Sequence, residues 1–281
     1  MQLIKTHFFL IAGLVFGLSI FANVAFAFKN DLKNLKVLVY TKNGEGYVHD
    51  NIPYAVKAIQ KLGEAHKFQV TVSDDPSVFT DDNLRGYDLL LFPSTNNDVF
   101  DTDAQRLAFR KYIQAGGGFV GLHSVVGTER KWEWFKQMIG GTFVWHPKFQ
   151  AYQLQVIDPT HPAVKGLPKV WEKEDECYFI KEIYPGIKVT IAHNLETLDQ
   201  KEKERIDASA GPYSKYYPAV WHQGFDGGHV WISALGHHIK DYEDPVFLQH
   251  VLQGIQHVAR QLKGLDYSKA YATSRDTPVR Y

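Results

Sequence analysis

The stretch Gly116-Gly117-Gly118-Phe119-Val120-Gly121-Leu122-His123-Ser124 decides the fold that the sequence predicts. An apolar run typical of a strand leaves a glycine cluster and stops at a histidine. In an open α/β sheet, ligands bind beyond the carboxyl ends of the strands. This strand would therefore carry an imidazole to the edge where chemistry usually occurs. Three other histidine-bearing stretches also follow strand-like runs or loops: Tyr47-Val48-His49, Trp145-His146-Pro147 and Leu235-Gly236-His237-His238.

The first half of the chain alternates strand and helix signals. Amphipathic patterns predict helices that begin near Asp50 and after the cap Asp101-Thr102-Asp103. This alternation is typical of an α/β fold with a mostly parallel sheet and right-handed crossovers. The runs that predict strands are 36–40, 68–72, 88–92 and 119–122.

The second half is predicted to be rich in β-structure. Residues 152–157 alternate apolar and polar side chains, as a half-exposed strand does. Asp226-Gly227-Gly228 predicts a hairpin between strands at 218–222 and 230–234. A final helix is expected from Pro245 to about Leu262. Two further short strands are expected at 178–181 and 188–192.

The N-terminus resembles a signal peptide. Lys5 precedes an almost wholly apolar stretch from Phe8 to Phe21, and Ala25-Phe26-Ala27 has the form of a signal-peptidase site. An uncleaved membrane anchor is the alternative. We expect a signal peptide at 1–27, one domain at 28–265 and an irregular tail at 266–281. The protein would then be periplasmic or extracellular, with no stable membrane insertion after cleavage.

Composition limits the classes of partner. The 31 basic and 31 acidic residues balance, and the chain has no basic block, so nucleic acid is not an expected partner. The single cysteine, Cys177, cannot form an intrachain disulfide. Aromatic residues make up 14% of the chain, including six tryptophans. Such a content suits sugar binding, and it suits a well-filled core equally well.

His123, His237 and the acidic pair Asp175 and Glu176 are the candidate catalytic residues. A carboxylate near imidazoles can orient them, complete a metal shell or transfer protons. We expect His237 rather than His238 to face the site, because Gly236 lets the chain approach it closely. Ser124 is not expected to act as a nucleophile, since the G-x-S-x-G elbow is absent.

The candidate substrate-binding residues are His49, Trp145, His146 and Trp221, with the two tryptophans as faces for a sugar ring. His222 is interpreted as structural or peripheral. Neither H-E-x-x-H nor C-x₂-C occurs, so a metal would have to be held by distant segments. His49, His123 and His237 are its candidate ligands, and three imidazoles with a carboxylate suit zinc or a similar divalent ion. The G-x-G-x-x-G spacing of dinucleotide sites is absent.

Six segments in order resemble the trehalose-utilisation, or ThuA-like, family. They are Tyr47-Val48-His49, 116–124, the stretch from Gly140-Gly141 to His146-Pro147, Asp175 to Tyr178, Pro218 to Trp221, and Gly227-Gly228 through His237. The resemblance covers about residues 36–258. It implies a flavodoxin-like sheet with helices on both faces, related to class I glutamine amidotransferases.

By that resemblance, His123 takes the position of the amidotransferase nucleophilic cysteine, and His237 or His238 falls near the triad histidine. Cys177 lies elsewhere, so glutamine hydrolysis should be lost. The family is associated with disaccharide use and with keto-sugar intermediates. We therefore expect a small-molecule carbohydrate as the partner.

Two functions follow as expectations. The first is a secreted enzyme that acts on sugars or keto-glycosides, as a hydrolase or a lyase or isomerase, by acid–base or metal-assisted chemistry. The second is a non-catalytic carbohydrate-binding protein on a degenerate amidotransferase scaffold. A structural or interaction subunit is a weaker third hypothesis, and it predicts that the histidines are dispersed. The sequence predicts neither the sugar nor the oligomeric state.

Overall fold

The computed structural model describes residues 32–210 and 213–280. The predicted signal peptide at 1–27 lies outside these residues. The strands of the described part are β1 Lys36–Tyr40, β2 Gln69–Ser73, β3 Leu89–Pro93, β4 Gly118–Leu122, β5 Thr142–Trp145, β6 Gln150–Val156, β7 Val170–Asp175, β8 Phe179–Lys181, β9 Lys188–Asn194, β10 Tyr216–Phe225 and β11 Gly228–Ser233.

Helices connect many of these strands, and residues at the N-termini of two of them favour the start of the helix. Pro53 occupies the first turn of the first long helix, as its fixed φ allows, and Thr102 with Gln105 forms a capping box before the second. Within the described residues, each helix is too short or too polar to cross a bilayer. The α-helices of this part are α1 Ile52–His66, α2 Asp81–Leu84, α3 Asp103–Gln114, α4 Glu133–Ile139, α5 Gln200–Ala210 and α6 Pro245–Ala259.

The strands form a nine-stranded mixed sheet in the order β2-β1-β3-β4-β11-β10-β9-β6-β7. The first five of these strands run parallel to one another. The pairs from β11 to β7 are antiparallel, and β5 and β8 pair separately. The α/β fold is thus confirmed, with a parallel half that carries α1 and α3 and an antiparallel half that fills the C-terminal region.

Burial follows position in the sheet. Every residue of β3 and β4 is buried, as expected of central parallel strands covered on both faces. The edge strand β2 is only partly covered. Phe92, Phe109 and Phe119 pack together in the core with ring centroids 5.0 to 5.9 Å apart.

The structure adds two strands that the sequence pattern did not predict, β5 and β7. In β7, buried and exposed positions alternate, but two of its buried side chains are Lys173 and Asp175. These charged residues pair with each other at 3.3 Å. Because the inward-facing side chains include a charged pair, the sequence of β7 does not show the alternation of apolar and polar residues that predicts a strand.

The C-terminal tail has one short turn at Tyr267–Lys269 and is otherwise irregular over its described residues. It is nevertheless held to the domain. The Arg275 carbonyl accepts hydrogen bonds from Arg110 at 2.8 Å and from the Trp132 indole at 3.1 Å. The Tyr271 hydroxyl donates to Asp226 at 2.7 Å.

Candidate functional site

Three strands of the parallel half deliver three histidines to one edge of the sheet. His49 lies in the loop between β1 and α1, His123 directly follows β4, and His237 follows β11. Because these strands are parallel, their carboxyl ends open on the same side. Gly236 has a φ of +108°, a left-handed conformation that favours glycine, and its turn leads directly into His237.

His123 sits in an unusual backbone conformation. Its φ is +50°, a region that residues other than glycine adopt only rarely. The residue is completely buried, at the start of the short 3₁₀ turn His123–Gly127. Strain of this kind costs of order 1–3 kcal/mol and is found preferentially at functional sites.

The three imidazoles meet one carboxylate in what we call the edge cluster: His49, His123, Glu176 and His237. His123 Nε2 lies 3.1 Å from His49 Nε2 and 3.2 Å from His237 Nδ1. Glu176 Oε2 lies 3.1 Å from His237 Nδ1 and 3.6 Å from His123 Nε2. One ligand atom from each of the four residues lies within 4.8 Å of all the others. The expected meeting of distant imidazoles in one place is therefore confirmed.

Hydrogen bonds behind two of the rings determine where their protons lie. The Ala234 carbonyl can only accept, so His123 Nδ1, 3.4 Å away, carries the proton. The Ser124 hydroxyl donates to the Thr95 carbonyl at 3.1 Å and therefore accepts from His49 Nδ1 at 3.1 Å. Both Nε2 atoms then present lone pairs to each other, an arrangement that a cation between them would stabilise.

Burial keeps these two rings neutral. It lowers the pKa of His49 to about 4, with the neighbouring His237 adding to the effect. It also lowers the pKa of His123 well below its usual value. Burial acts in the same direction on His237, but the adjacent Glu176 carboxylate outweighs it and raises the His237 pKa. Neutral imidazole is the form that binds metal ions.

The residues of the edge cluster fit a divalent ion. Zinc–nitrogen bonds of about 2.0–2.1 Å separate tetrahedral ligands by roughly 3.3–3.4 Å, close to the distances within the cluster. Glu176 Oε2 is buried and, within the described residues, lacks a well-directed hydrogen bond, although His237 Nδ1 lies 3.1 Å away. An ion would satisfy this oxygen and the two facing lone pairs together.

Tyr178 completes the site, and the sequence analysis did not select it. Its hydroxyl lies 3.1 Å from His123 Nε2 and 3.5 Å from His49 Nε2. Burial, reinforced by the charge of Glu176, raises its pKa, so the phenol keeps its proton. Without an ion, the hydroxyl donates to the His123 Nε2 lone pair; with an ion on that nitrogen, its proton is free for a bound ligand.

Asp175 and Glu176 have different roles. The Asp175 carboxylate is fully buried and accepts the backbone N–H groups of Gly236 at 2.9 Å and His237 at 3.2 Å. It also pairs with Lys173. Asp175 therefore positions the loop that carries His237, whereas the sequence placed it among the candidate catalytic residues. Glu176 alone of the pair reaches the edge cluster.

A cavity of about 390 Å³ opens over the cluster. This volume is within the range of small-molecule sites. Its walls are mixed aromatic and polar, and 62% of Tyr47 is exposed at the rim. Arg130 donates to the Gly127 carbonyl and to Asn96 Oδ1. Besides His49 and Glu176, the lining includes Tyr47, Asn96, Arg130, Phe143, His146 and Tyr178.

His146, a predicted substrate-binding residue, lines this cavity. Its Nδ1 is 2.8 Å from the Pro147 carbonyl, so Nδ1 carries the proton. Its Nε2 lies 3.4 Å from Glu176 Oε1. His237 rather than His238 faces the site, also as predicted, because the His238 ring caps the following turn by accepting from the Lys240 N–H.

The two tryptophans predicted to bind sugar are not among the residues that line this cavity. Trp221 is completely buried and donates to the Ile139 carbonyl at 2.8 Å. Trp145 stacks on Phe179 with centroids 5.4 Å apart, and Arg205 lies 5.0 Å over its ring. Both rings are used in packing. Tyr47, Phe143 and Tyr178 are the aromatic residues that line the cavity instead.

The fold and the site define an α/β protein with a histidine-rich pocket at the carboxyl edge of a parallel sheet. The chain belongs to the ThuA family, described as trehalose utilisation, which matches residues 36–258. No curated protein matches the chain.

Solved structures show the same fold. A ThuA-like protein from Bacteroides uniformis is similar over 84% of this chain and 95% of its own length, with a TM-score of 0.68 and 20% identity. A second, from Parabacteroides merdae, is similar over 81% and 90%, with a TM-score of 0.62 and 21% identity. A β-galactosidase from Rahnella sp. R3 is similar over 80% of this chain but only 32% of its own, with a TM-score of 0.51 and 15% identity.

Proposed function

We propose that this protein is a metal-dependent enzyme that acts on a keto-sugar or an oxidised glycoside. The observation that supports it most is the edge cluster, where three imidazole nitrogens and a carboxylate oxygen lie within 4.8 Å of one another. Carbohydrate as the substrate class rests on the family description and on the aromatic walls of the cavity. The activity belongs to the periplasm or the exterior of the cell, if residues 1–27 act as a cleaved signal peptide.

His49, His123, His237 and Glu176 would hold the ion. Bound there, a divalent cation supplies Lewis-acid polarisation of a substrate carbonyl. Tyr178 then donates a hydrogen bond from its Oη to the oxygen on which charge develops. The hydroxyl is pre-oriented, because its ring packs against His123 with centroids 4.5 Å apart.

His146 is the proposed general base. A C–H next to a carbonyl loses its proton only to a positioned base, and His146 lines the cavity with its Nδ1 held by the Pro147 carbonyl, which leaves Nε2 as the atom that would take the proton. Glu176 Oε1, 3.4 Å away, would stabilise the imidazolium that forms. Proton transfer to His146 leaves an enolate. In isomerisation, the imidazolium returns the proton to the neighbouring carbon; in elimination, the enolate expels the glycosidic oxygen, which takes that proton as its bond to carbon breaks. These are the lyase and isomerase reactions.

The test combines metal analysis with turnover. Tag-free protein is assayed against disaccharides and their 3-keto derivatives, before and after treatment with a chelator. We expect turnover of a keto derivative, loss on chelation, and recovery on adding Zn²⁺ or another divalent ion. Glu176→Gln should lower turnover at least about 100-fold and release the ion.

His66→Gln is the matched control, because His66 is a partly exposed histidine at the end of α1, away from the cavity residues. It should leave both metal content and turnover unchanged. Turnover that survives chelation and Glu176→Gln would overturn the proposal. Sugar binding without turnover would instead identify a carbohydrate-binding protein.

A further inference from the structure

A second group of three histidines, which we call the outer cluster, lies in the antiparallel half. His161 precedes the 3₁₀ turn Pro162–Val164, His222 lies on β10, and His257 lies in the last turn of α6. Their ring centroids are 4.5, 4.5 and 4.7 Å apart. One nitrogen from each lies within 4.8 Å of the others, and all three rings are partly exposed.

The convergence of these rings is not explained by the core. The three segments are distant in sequence, and the outer cluster shares no residue with the edge cluster or its cavity. Within the described part of the chain, none of the three is fully buried, so water reaches the group. Three imidazoles with open positions for water form a ligand set that suits Zn²⁺, Ni²⁺ or Cu²⁺ rather than Mg²⁺ or Ca²⁺.

We propose that His161, His222 and His257 form a second metal site, which takes a borderline transition-metal ion and ties the 3₁₀ turn to β10 and α6. The turn already packs on α6, where the Lys165 carbonyl accepts from Gln249 at 3.1 Å and from Gln253 at 2.5 Å. An ion would brace these same elements. The site is independent of the proposed catalytic function.

One hydrogen bond determines how strongly this site binds. His161 Nδ1 accepts from the Ala163 N–H at 3.2 Å. A metal at Nδ1 would take that lone pair, and a metal at Nε2 would shift the ring proton to Nδ1. In either case the ion competes with the hydrogen bond to Ala163. The outer cluster should therefore bind its ion more weakly than the edge cluster does.

The test counts ions. Tag-free, chelator-stripped protein is titrated with Zn²⁺ in competition with a chromophoric chelator. Wild type and His66→Gln should bind two ions per chain, and His222→Gln should bind one. If the edge cluster holds no ion but the outer cluster does, wild type binds one and His222→Gln binds none. Equal ion counts in wild type and His222→Gln would overturn the proposal.

A second measurement isolates the outer cluster and guards against misfolding. In Glu176→Gln, Zn²⁺ should still raise the melting temperature, because an ion that binds only the folded state stabilises it. The rise should be smaller in Glu176→Gln combined with His257→Gln, where glutamine suits the helix. Circular dichroism at low temperature checks that each variant is folded. An equal rise in Glu176→Gln and in the double variant would also overturn the proposal.

Discussion

The edge cluster and the outer cluster each bring three imidazoles together, but they differ in the hydrogen bonds that the ring nitrogens make. In the edge cluster, the Nδ1 protons of His49 and His123 are held by Ser124 and by the Ala234 carbonyl. In the outer cluster, His161 Nδ1 is an acceptor for a backbone N–H. Only the edge cluster includes a carboxylate. Proximity of histidines is therefore not enough, because the hydrogen bond on the far side of each ring decides whether its lone pair is ready for an ion.

The largest expected effect is the loss of folding stability in acid, which arises in part from two buried histidines that belong to neither cluster. Burial lowers the pKa of His193 to about 4 and that of His250 to about 3. Both stay neutral when folded, whereas unfolded histidine takes up a proton near pH 6.5. Stability is therefore present above pH 6.5 and is lost as the pH falls toward the folded-state values, by about 1.4 kcal/mol per pH unit for each group.

Urea unfolding of chelator-treated protein measures this effect. The two groups together should lower the free energy of unfolding by roughly 3–4 kcal/mol between pH 7 and pH 5. His193→Leu removes one of them and should shrink the loss of unfolding free energy between pH 7 and pH 5 by roughly 1.5–2 kcal/mol. If the decline is as steep in this variant as in wild type, the buried histidines outside the clusters do not cause the acid sensitivity. The histidines of the two clusters would then be its main source.

Ser124→Ala tests the idea that the groups behind the rings matter. Without the hydroxyl, the His49 ring loses the partner that holds its proton on Nδ1. Loss of such an outer partner costs about 10–100-fold in metal affinity. Ser233→Ala is the matched control, because its hydroxyl contacts the buried His250 at 2.9 Å, outside both clusters. Competitive Zn²⁺ titration should separate the two variants, and equal affinities would refute this explanation.

The smallest effect concerns the cavity that opens over the edge cluster. Tyr47→Ala removes an exposed ring from the rim and should raise KM for a keto-disaccharide about fivefold, since one such ring contact is worth ~1 kcal/mol. The value of kcat should change little. Tyr54→Ala, at an exposed tyrosine on α1, should change neither constant. Steady-state kinetics of both variants would show whether the rim binds sugar.

The sequence predicted the edge cluster better than its surroundings. Strands followed by histidines could be recognised from apolar runs, and the carboxyl-edge rule then placed His49, His123 and His237 together. Tyr178 was missed, because nothing in its local pattern shows that its hydroxyl points toward His123. Trp221 was predicted to contact a sugar but is completely buried. An aromatic residue in a strand fits a core and a sugar site equally well.

The antiparallel half was harder to predict for a related reason. Strand β7 buries a charged pair, Lys173 and Asp175, so the side chains that face inward look like surface residues in the sequence. The outer cluster was not predicted, because its three histidines carry no common spacing. His222 was interpreted as structural or peripheral, and only the three-dimensional contacts join it to His161 and His257.

The backbone at His123 has a consequence for how this scaffold can change. With φ at +50°, the position is hostile to side chains that branch at Cβ, which crowd a left-handed backbone. Threonine, valine and isoleucine are therefore effectively barred there, whereas cysteine, serine, asparagine and histidine remain admissible. The backbone conformation therefore limits which substitutions can evolve at this position. A new activity here would have to use a nucleophile, base or metal ligand whose side chain is not branched at Cβ.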